Sequence, residues 1–171
     1  MSTPPPEKSR PELQIAVIGA GKATPEEYKR AYETGKNLAG KGVLLCGGLG
    51  GVMEAACRGA RENGGTTIGI ISGTGNGNAY LDVVIRTGLG HARNVLVVQS
   101  ADAVIAVGGS YGTLSEIAVA LKLEIPVFGI KTWDIPGVIS CTSPEDAVIR
   151  AVGAARRSPL YNTRQAGSGS S

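Results

Sequence analysis

Residues 103–116 read AVIAVGGSYGTLSE and give the clearest indication of the architecture. The first five are small or β-branched apolar residues in an unbroken run, which is typical of a strand buried on both faces. Two glycines end this run, and the residues that follow place apolar side chains on one face of a helix, namely Leu114, Ile117, Ala118 and Leu121. The stretch therefore predicts a strand, a tight turn and a helix, which is the repeating unit of a parallel sheet.

The same unit recurs along the rest of the chain. Thr24-Pro25-Glu26-Glu27, for example, is a capping box with proline at the first helical position, and it follows an apolar run. Apolar runs predict strands over residues 13–18, 43–46, 66–71, 83–85, 103–107, 126–130 and 137–140. This alternation predicts an α/β fold, a single doubly wound, Rossmann-like parallel sheet of about seven strands with helices on both faces.

The composition fits one domain whose core is built from small side chains. The 171 residues include 26 glycines, one Trp, five Tyr and one Phe, and the glycine share is roughly twice the usual one. We therefore expect a core of Val, Ile, Leu and Ala. We expect residues 1–12 to be a disordered leader, 13–164 to form a nucleotide-binding domain, and the Gly/Ser-rich residues 165–171 to be a flexible tail.

Charge, hydropathy and cysteine pattern argue against several classes of protein. A net charge of only +3, with no basic stripe and no aromatic stacking platform, argues against nucleic-acid binding. No apolar run approaches the ~20 residues of a membrane span, and no signal peptide is present, so we expect a cytoplasmic protein without membrane contacts. Cys46, Cys57 and Cys141 form no C-x-x-C motif, which argues against a disulfide framework and a metal site.

The first glycine cluster only half-matches a dinucleotide-binding motif. Gly19 and Gly21 fit G-x-G-x-x-G, but Thr24 stands where the third glycine belongs. The acidic residue that such a site needs at the end of the second strand is also missing, because Cys46-Gly47-Gly48 lies there. NAD binding is therefore disfavoured, and the absence of G-x-x-x-x-G-K-[ST] disfavours a P-loop as well.

The second and third glycine clusters resemble each other, and both predict contacts to phosphate. Each ends a strand and opens a helix, where free backbone N–H groups and the helix dipole attract anions. Because the carboxyl ends of parallel strands share one edge of the sheet, we expect the clusters to lie together. The predicted ligand-binding residues are Gly19, Gly21, Gly47, Gly48, Gly50, Gly51, Gly108, Gly109, Ser110, Tyr111, Gly112 and Thr113.

Two charged residues near these clusters have two interpretations each. Thr113-x-x-Glu116 is itself a capping box, so Glu116 is interpreted either as a helix cap, which the motif alone favours, or as a site residue. Arg93 lies in the first turn of a predicted helix, where a cation opposes the dipole. It is interpreted either as a surface residue or as a clamp for an anion. His91, the single histidine, is interpreted as solvent-exposed.

Gly108-Gly109-Ser110-Tyr111-Gly112-Thr113-Leu114-Ser115-Glu116 resembles the P-G-G-x-G-T-x-x-E signature of the LONELY GUY (LOG) superfamily. Gly88 to Asn94 falls where those enzymes have H-E-R-K, and the spacing between Arg93 and Glu116 matches theirs. The resemblance covers about residues 13–157. It implies a phosphoribohydrolase that cleaves nucleoside 5′-monophosphates, of AMP or cytokinin type, to a free base and ribose 5-phosphate, with Arg93 and Glu116 as the catalytic pair.

Three departures separate the chain from the hydrolase pattern: Val107, Ala92 and Asn94 replace the Pro of the signature and the Glu and Lys of H-E-R-K. The stretches around residues 51–56, 64–70, 87–90 and 106–108 look closer to the molybdenum-cofactor carrier branch. That resemblance implies a dimer or tetramer that binds a pterin phosphate without turnover, and that branch also keeps the Arg and the Glu. Carrier and hydrolase therefore both stay open.

The expectation common to both is a small phosphorylated ligand at the carboxyl edge of the sheet. The ligands considered are an AMP-like nucleotide, phosphate or molybdopterin, and no other cofactor is required. A nucleic-acid-processing relative of the same fold is a third, weaker hypothesis because of the charge balance. The Ala-rich helix faces and the thin core also predict a homo-oligomer.

Overall fold

The computed structural model describes residues 12–158. The predicted leader, apart from its last residue, and the predicted tail lie outside the described residues. The strands are β1 (Gln14–Gly19), β2 (Val43–Cys46), β3 (Thr67–Ile71), β4 (Val83–Arg86), β5 (Ala103–Val107), β6 (Val127–Ile130) and β7 (Val138–Ser140). The helices are α1 (Pro25–Leu38), α2 (Val52–Glu62), α3 (Arg93–Gln99), α4 (Tyr111–Lys122) and α5 (Pro144–Arg157).

The seven strands form one parallel sheet in the order β4-β3-β2-β1-β5-β6-β7. The chain builds outward from β1 in one direction as far as β4. It then returns to the other side of β1, where β5 pairs with it so that Gly19 lies opposite Val107. The predicted Rossmann-like sheet is therefore confirmed, and β1 and β5 flank its topological switch point.

Alternate residues along each central strand point to two separate cores. On β1, Ile15 and Val17 pack with α1, α2 and α5, whereas Ala16 and Ile18 pack with α3 and α4. Both cores consist mainly of Val, Ile, Leu and Ala, as the composition predicts. Phe128 is the one aromatic residue buried among the described residues. Because strands are covered on both faces, they read as continuous apolar runs.

Helix α1 begins as its sequence predicts. The Thr24 side chain accepts a hydrogen bond from the Glu27 N–H at 3.2 Å, and the Thr24 N–H donates to the Glu27 carboxylate at 2.8 Å. Helix α3 differs slightly from the expectation, because a 3-10 turn over Gly90–Ala92 precedes it and the α-helix begins only at Arg93. The helical face predicted for α4 is partly wrong, since Ala118 is exposed and Glu116 lies on the buried side.

The connection from β6 to β7 is unusually short. Parallel neighbours are normally joined by a dozen or more residues that include a helix, but here residues 131–137 cross the sheet face without one. Trp133 and Ile135 in this segment pack against the core beneath α3 and α4. The segment thus begins at the carboxyl edge of the sheet, beside the end of β5. Within residues 12–158, no helix is both long and apolar enough to cross a bilayer.

Candidate ligand-binding site

The three glycine clusters meet at one edge, as predicted, because each follows the carboxyl end of a neighbouring strand. The β1 and β2 clusters are held together by backbone contacts. The Val52 N–H, at the start of α2, donates to the Ala20 carbonyl at 3.0 Å. An added Cβ on Gly19 would lie 2.6 Å from Val52 Cβ, and one on Gly51 would lie 2.7 Å from the Gly21 carbonyl carbon. Gly19 and Gly51 therefore serve close packing of the two loops as well as any ligand.

The β2 cluster contains both constrained and open glycines. Gly48 and Gly51 have φ of 72° and 62°, conformations that favour glycine. Gly47 has an ordinary φ but lies against the Arg93 guanidinium, whose Cζ would be 2.8 Å from an added Cβ. Gly50 is less crowded, and Gly21 in the β1 cluster has open space beside it. The open positions are the ones where a ligand can approach the backbone.

The β5 cluster turns sharply into α4. Gly108 and Gly109 have φ of 54° and 127°, so the turn needs glycine at both positions. Ser110 caps the helix, and its N–H donates to Thr113 Oγ1 at 3.3 Å. Tyr111 and Gly112 follow with exposed side-chain positions, whereas Thr113 is buried. As first residues of α4, Tyr111 and Gly112 have N–H groups without an intrahelical acceptor.

Glu116 is not the helix cap that the Thr113-x-x-Glu116 motif favours. The helix cap is Ser110, three residues before the Thr113 that the motif indicates. Glu116 therefore lies in the second turn of α4 and not in the first. Its side chain is turned inward and the residue is only 7% exposed. The capping interpretation is wrong because the glycine turn ends sooner than the motif indicates. Glu116 is therefore a buried carboxyl group with no capping role in α4.

Arg93 is the second buried charge. It is the first residue of α3 and only 5% exposed, so the interpretation as a surface residue is wrong. Its guanidinium lies over Gly47, at the end of β2. Its Nε has no hydrogen-bond partner among residues 12–158. Because a buried charged donor without a partner is costly, Arg93 is available to an acceptor on a bound anion.

Arg93 and Glu116 lie close enough to influence each other's ionisation. Burial raises the pKa of Glu116 to about 7, and the nearby Arg93 only partly opposes this. Burial lowers the pKa of Arg93, and Glu116 and Cys46 partly restore it. No direct ion pair joins the two side chains within the described part of the chain. The structure thus brings the predicted pair near each other without a direct ion pair.

A pair of thiols that the sequence leaves separate lies beneath the β2 cluster. The Sγ atoms of Cys46 and Cys57 are 3.4 Å apart, and the Gly48 N–H donates to Cys46 Sγ at 3.2 Å. The hydrogen bond between the thiols lowers the pKa of Cys46 and raises that of Cys57. The pair ties the glycine turn to α2. Among the described residues, no group of three His, Cys, Asp or Glu side chains could hold a metal ion.

The segment that follows β6 carries no recognisable motif in the sequence, but it contacts the β5 turn. Thr132 Oγ1 donates to the Gly108 carbonyl at 2.5 Å, and Trp133 Nε1 donates to the Ser110 carbonyl at 3.3 Å. These bonds bring the Trp133 ring to 6.1 Å from the Tyr111 ring. The two rings form an aromatic pair beside the β5 turn. The single Trp of the chain, shortly after a predicted strand end, was the signal in the sequence that could have indicated this aromatic pair.

The comparisons with known proteins identify the family and support the fold. A family model described as the SLOG cluster4 family matches residues 12–157. A protein of Archaeoglobus fulgidus, described as uncharacterised, is 48% identical over 139 residues, which are 80% of this chain and 92% of that protein.

Two solved structures carry a functional description. The molybdenum cofactor binding protein of Rippkaea orientalis is 39% identical, with a TM-score of 0.77 over 83% of this chain and 96% of that one. The molybdenum cofactor carrier protein of Chlamydomonas reinhardtii is 35% identical, with a TM-score of 0.78 over 86% of this chain and 100% of that one. The resemblance to the carrier branch is thereby confirmed.

Proposed function

Because this chain belongs to the SLOG cluster4 family, we propose that it binds a phosphorylated pterin or nucleotide-like ligand at the carboxyl edge of its sheet, as a carrier of molybdenum-cofactor type. The ligand is cargo in this proposal, and the protein holds it without turnover. The names of the R. orientalis and C. reinhardtii proteins support the pterin class. The chemistry of the edge supports the phosphate.

The observation that carries the proposal is the buried Arg93 with its unpartnered Nε. A buried guanidinium with an unsatisfied donor does not stabilise the fold, because the desolvation of that donor costs free energy that no hydrogen bond offsets. A phosphate or phosphate-like oxygen would accept from Nε and neutralise the charge. The guanidinium lies over Gly47, at the end of β2, and it is near enough to Glu116 of α4 to affect the pKa of that carboxyl group, so we expect the charge and the first N–H groups of α4 to serve one anion.

The β5 cluster supplies the second set of donors. Gly108 and Gly109 turn the chain so that the first N–H groups of α4 face outward from the sheet edge. These groups and the dipole of α4 stabilise negative charge. Helix α2 offers fewer free N–H donors to an anion, because its Val52 N–H already donates to the Ala20 carbonyl. We therefore assign the phosphate to the β5 turn and Arg93, and regard Gly19 and Gly51 mainly as packing residues.

Glu116 suits an anionic ligand because it is easily protonated. With its pKa raised to about 7 by burial, about half of the Glu116 side chains carry a proton at neutral pH. A protonated carboxyl donates a hydrogen bond to an anion, whereas an ionised one repels it. The same property would let Glu116 act as a general acid or base, so Arg93 and Glu116 also fit the hydrolase alternative.

Calorimetry with AMP and adenosine tests the proposal. We expect AMP to bind at least about tenfold more tightly than adenosine, since one charge-assisted contact contributes about 1.5–3 kcal/mol. Arg93→Met should reduce this difference, because only the N–H groups of the β5 turn and the dipole of α4 then remain to bind the phosphate. Gly47→Ala should weaken AMP binding with little loss of stability, because its Cβ displaces the end of the flexible Arg93 side chain. The control Arg156→Met removes an exposed cation from the last turn of α5 and should change nothing.

Equal affinity for AMP and adenosine in the wild-type protein would refute the phosphate site. Chromatography of the AMP incubation separates carrier from hydrolase. We expect no free adenine, and its release, lost in Glu116→Gln, would establish the phosphoribohydrolase instead.

A further inference from the structure

The buried thiols of Cys46 and Cys57 take no part in the phosphate contacts. Cys46 is the last residue of β2, Cys57 lies in the middle of α2, and neither side chain is exposed. Their Sγ atoms are 3.4 Å apart and both thiols are free. A disulfide bond needs its two sulfur atoms about 2 Å apart, so a further approach of about 1.4 Å would join them.

The two thiols differ in how easily they ionise. The hydrogen bond with Cys57 lowers the pKa of the Cys46 thiol although burial opposes this, and the Gly48 N–H and the Arg93 charge lower it further. The same bond raises the pKa of Cys57. Because the thiolate is the nucleophilic form, Cys46 is the attacking thiol and Cys57 the resolving one. This division of roles is typical of cysteines that react with peroxides.

Residues 72–80 lie between the pair and solvent on the side of the β2 turn. Most of this segment is exposed. Asn78 joins it to the turn, because its backbone N–H donates to the Gly48 carbonyl at 2.8 Å and its Nδ2 to the Leu49 carbonyl at 3.1 Å. The Asn78 side chain is also close enough to Cys57 to oppose part of the rise in its pKa. Local opening of this exposed segment would admit a small oxidant without global unfolding.

Closure of the pair would act on the backbone that contacts Arg93. Cys46 directly precedes Gly47, whose added Cβ would lie 2.8 Å from Arg93 Cζ, so the guanidinium rests on the Gly47 backbone. The Gly48 N–H donates at 3.2 Å to the Cys46 sulfur, which is one of the two atoms that move. Because the interior is closely packed, an approach of the two sulfurs shifts the end of β2 relative to α2. We expect the Arg93 guanidinium to shift with it.

We propose that Cys46 and Cys57 are a redox modification site, at which a hydroperoxide forms a reversible disulfide that weakens anion binding at Arg93. The disulfide itself is independent of the proposed function, whereas its effect on anion binding rests on that function. Hydrogen peroxide is small enough to serve as the oxidant.

The reaction has two steps. The Cys46 thiolate attacks one oxygen of hydrogen peroxide, the O–O bond breaks, and the leaving hydroxide combines with the proton that Cys46 lost, so that water and a Cys46 sulfenic acid form. Cys57 Sγ then attacks the Cys46 sulfur, the S–O bond breaks, and the Cys57 proton leaves with the hydroxyl group as a second water. The peroxide gains the two electrons that the thiols lose. An external thiol reverses the bond by exchange.

Mass spectrometry of the peroxide-treated protein identifies the bond. Both cysteines fall in one tryptic peptide, residues 42–58, and Cys141 falls in another, residues 132–150. We expect the first peptide to lose two hydrogens and to resist alkylation, and dithiothreitol to restore both thiols. Cys141, whose thiol donates to the Ile139 carbonyl, should still be alkylated and serves as the internal control.

Single substitutions separate the roles of the two thiols. Cys57→Ala keeps the attacking thiol, so peroxide should leave a Cys46 sulfenic acid that dimedone traps. Cys46→Ala removes the attacking thiol and should give neither the disulfide nor the trapped product. Cys141→Ser is the matched control and should form the disulfide as the wild type does.

Calorimetry with AMP measures the effect on the site. We expect the oxidised protein to bind AMP about tenfold or more weakly than the reduced protein, the effect of losing one charge-assisted contact. Dithiothreitol should restore the affinity. Cys46→Ala should bind AMP equally before and after peroxide, which separates the disulfide from oxidation of Met53 in the same peptide, because dithiothreitol does not reverse a sulfoxide.

The outcomes distinguish this proposal from the proposed function. A peptide 42–58 that keeps both thiols alkylatable after peroxide, while Cys141 is oxidised, overturns the modification site. A disulfide that leaves AMP affinity unchanged overturns the control of Arg93. Failure of AMP to bind the reduced protein overturns the phosphate site, and the mass of peptide 42–58 still decides the disulfide.

Discussion

Two charged side chains, Arg93 and Glu116, are buried near each other without a direct ion pair. Such an arrangement costs folding free energy, because each group loses water and neither fully compensates the other. A fold under selection for stability alone would replace both with apolar residues. Under the proposed function, a bound anion would complete this network at the carboxyl edge of the sheet, and the cost would be recovered in the bound state.

The raised pKa of Glu116 predicts a pH dependence of stability. In the unfolded chain this carboxyl titrates near its ordinary value of 4.5, but in the folded protein its pKa is about 7. Between these values the folded state binds more protons, so the free energy of unfolding falls as pH rises from about 4.5 to about 7. A separation of this size corresponds to about 3 kcal/mol.

Urea unfolding of the wild type and Glu116→Gln at pH 5 and pH 7.5 measures this contribution. The wild type should lose stability relative to Glu116→Gln as pH rises. The exposed Glu26, in the first turn of α1, provides the control Glu26→Gln. A constant difference between wild type and Glu116→Gln would show that Glu116 ionises normally.

At the level of the elements, α1 and α2 cross with their backbones in close approach. An added Cβ on Gly35 would lie 2.8 Å from the Ala56 carbonyl carbon, and one on Gly59 would lie 2.9 Å from the Tyr32 carbonyl carbon. Each helix thus offers a glycine where the other presents its backbone. The two helices pack on the same face of the sheet, and α2 begins directly after the β2 glycine cluster.

Alanine at either crossing position should destabilise the protein although alanine favours helix. We expect Gly35→Ala and Gly59→Ala each to lower the free energy of unfolding by about 1–3 kcal/mol or more, the usual cost of overpacking. Gly153→Ala in α5 is the matched control, because its nearest neighbour is the end of Arg157 at 3.6 Å. It should stabilise by up to about 1 kcal/mol. Thermal or urea unfolding of the three variants measures the contrast, and equal effects would contradict the close crossing.

The two faces of the sheet are covered unequally in the molecule as a whole. Three helices lie on one face, whereas the other has α4 and the short α3. Exposed apolar side chains concentrate on that thinner side and on the neighbouring edge strand, namely Val83, Ile85, Leu89, Val95, Leu96 and Leu123. Clusters of this kind commonly mark association surfaces. This agrees with the homo-oligomer that the sequence predicts.

We expect a second copy of the chain to cover the α3 side. Leu96→Glu, at a residue 36% exposed on α3, should then shift the protein to a monomer in light scattering. Ile149→Glu is the control, because Ile149 is 59% exposed but lies on α5, on the opposite face. A wild-type protein that is already monomeric at micromolar concentration would contradict the expectation.

The strands, their parallel direction and the placement of the glycine clusters at one edge could be predicted from the sequence, whereas the order of the strands in the sheet came from the structure. Each of these follows from local patterns: continuous apolar runs, helix-starting motifs such as Thr24-Pro25, and glycines at strand ends. Arg93 and Glu116 could be named from motif spacing and family resemblance. A local pattern could not say whether either charge is buried, because burial depends on what the other elements bring to the same place.

Contacts between distant segments account for the features that the sequence left open or misassigned. The Thr113-x-x-Glu116 motif indicated a cap, but the positive φ of Gly108 and Gly109 starts α4 at Tyr111 and turns Glu116 inward. Trp133 meets Tyr111 only because residues 131–137 bond to the β5 turn. Cys46 meets Cys57 only because α2 folds back under β2. Such pairings carry no periodic signal along the chain, since each depends on the distance and orientation of elements that pack against one sheet.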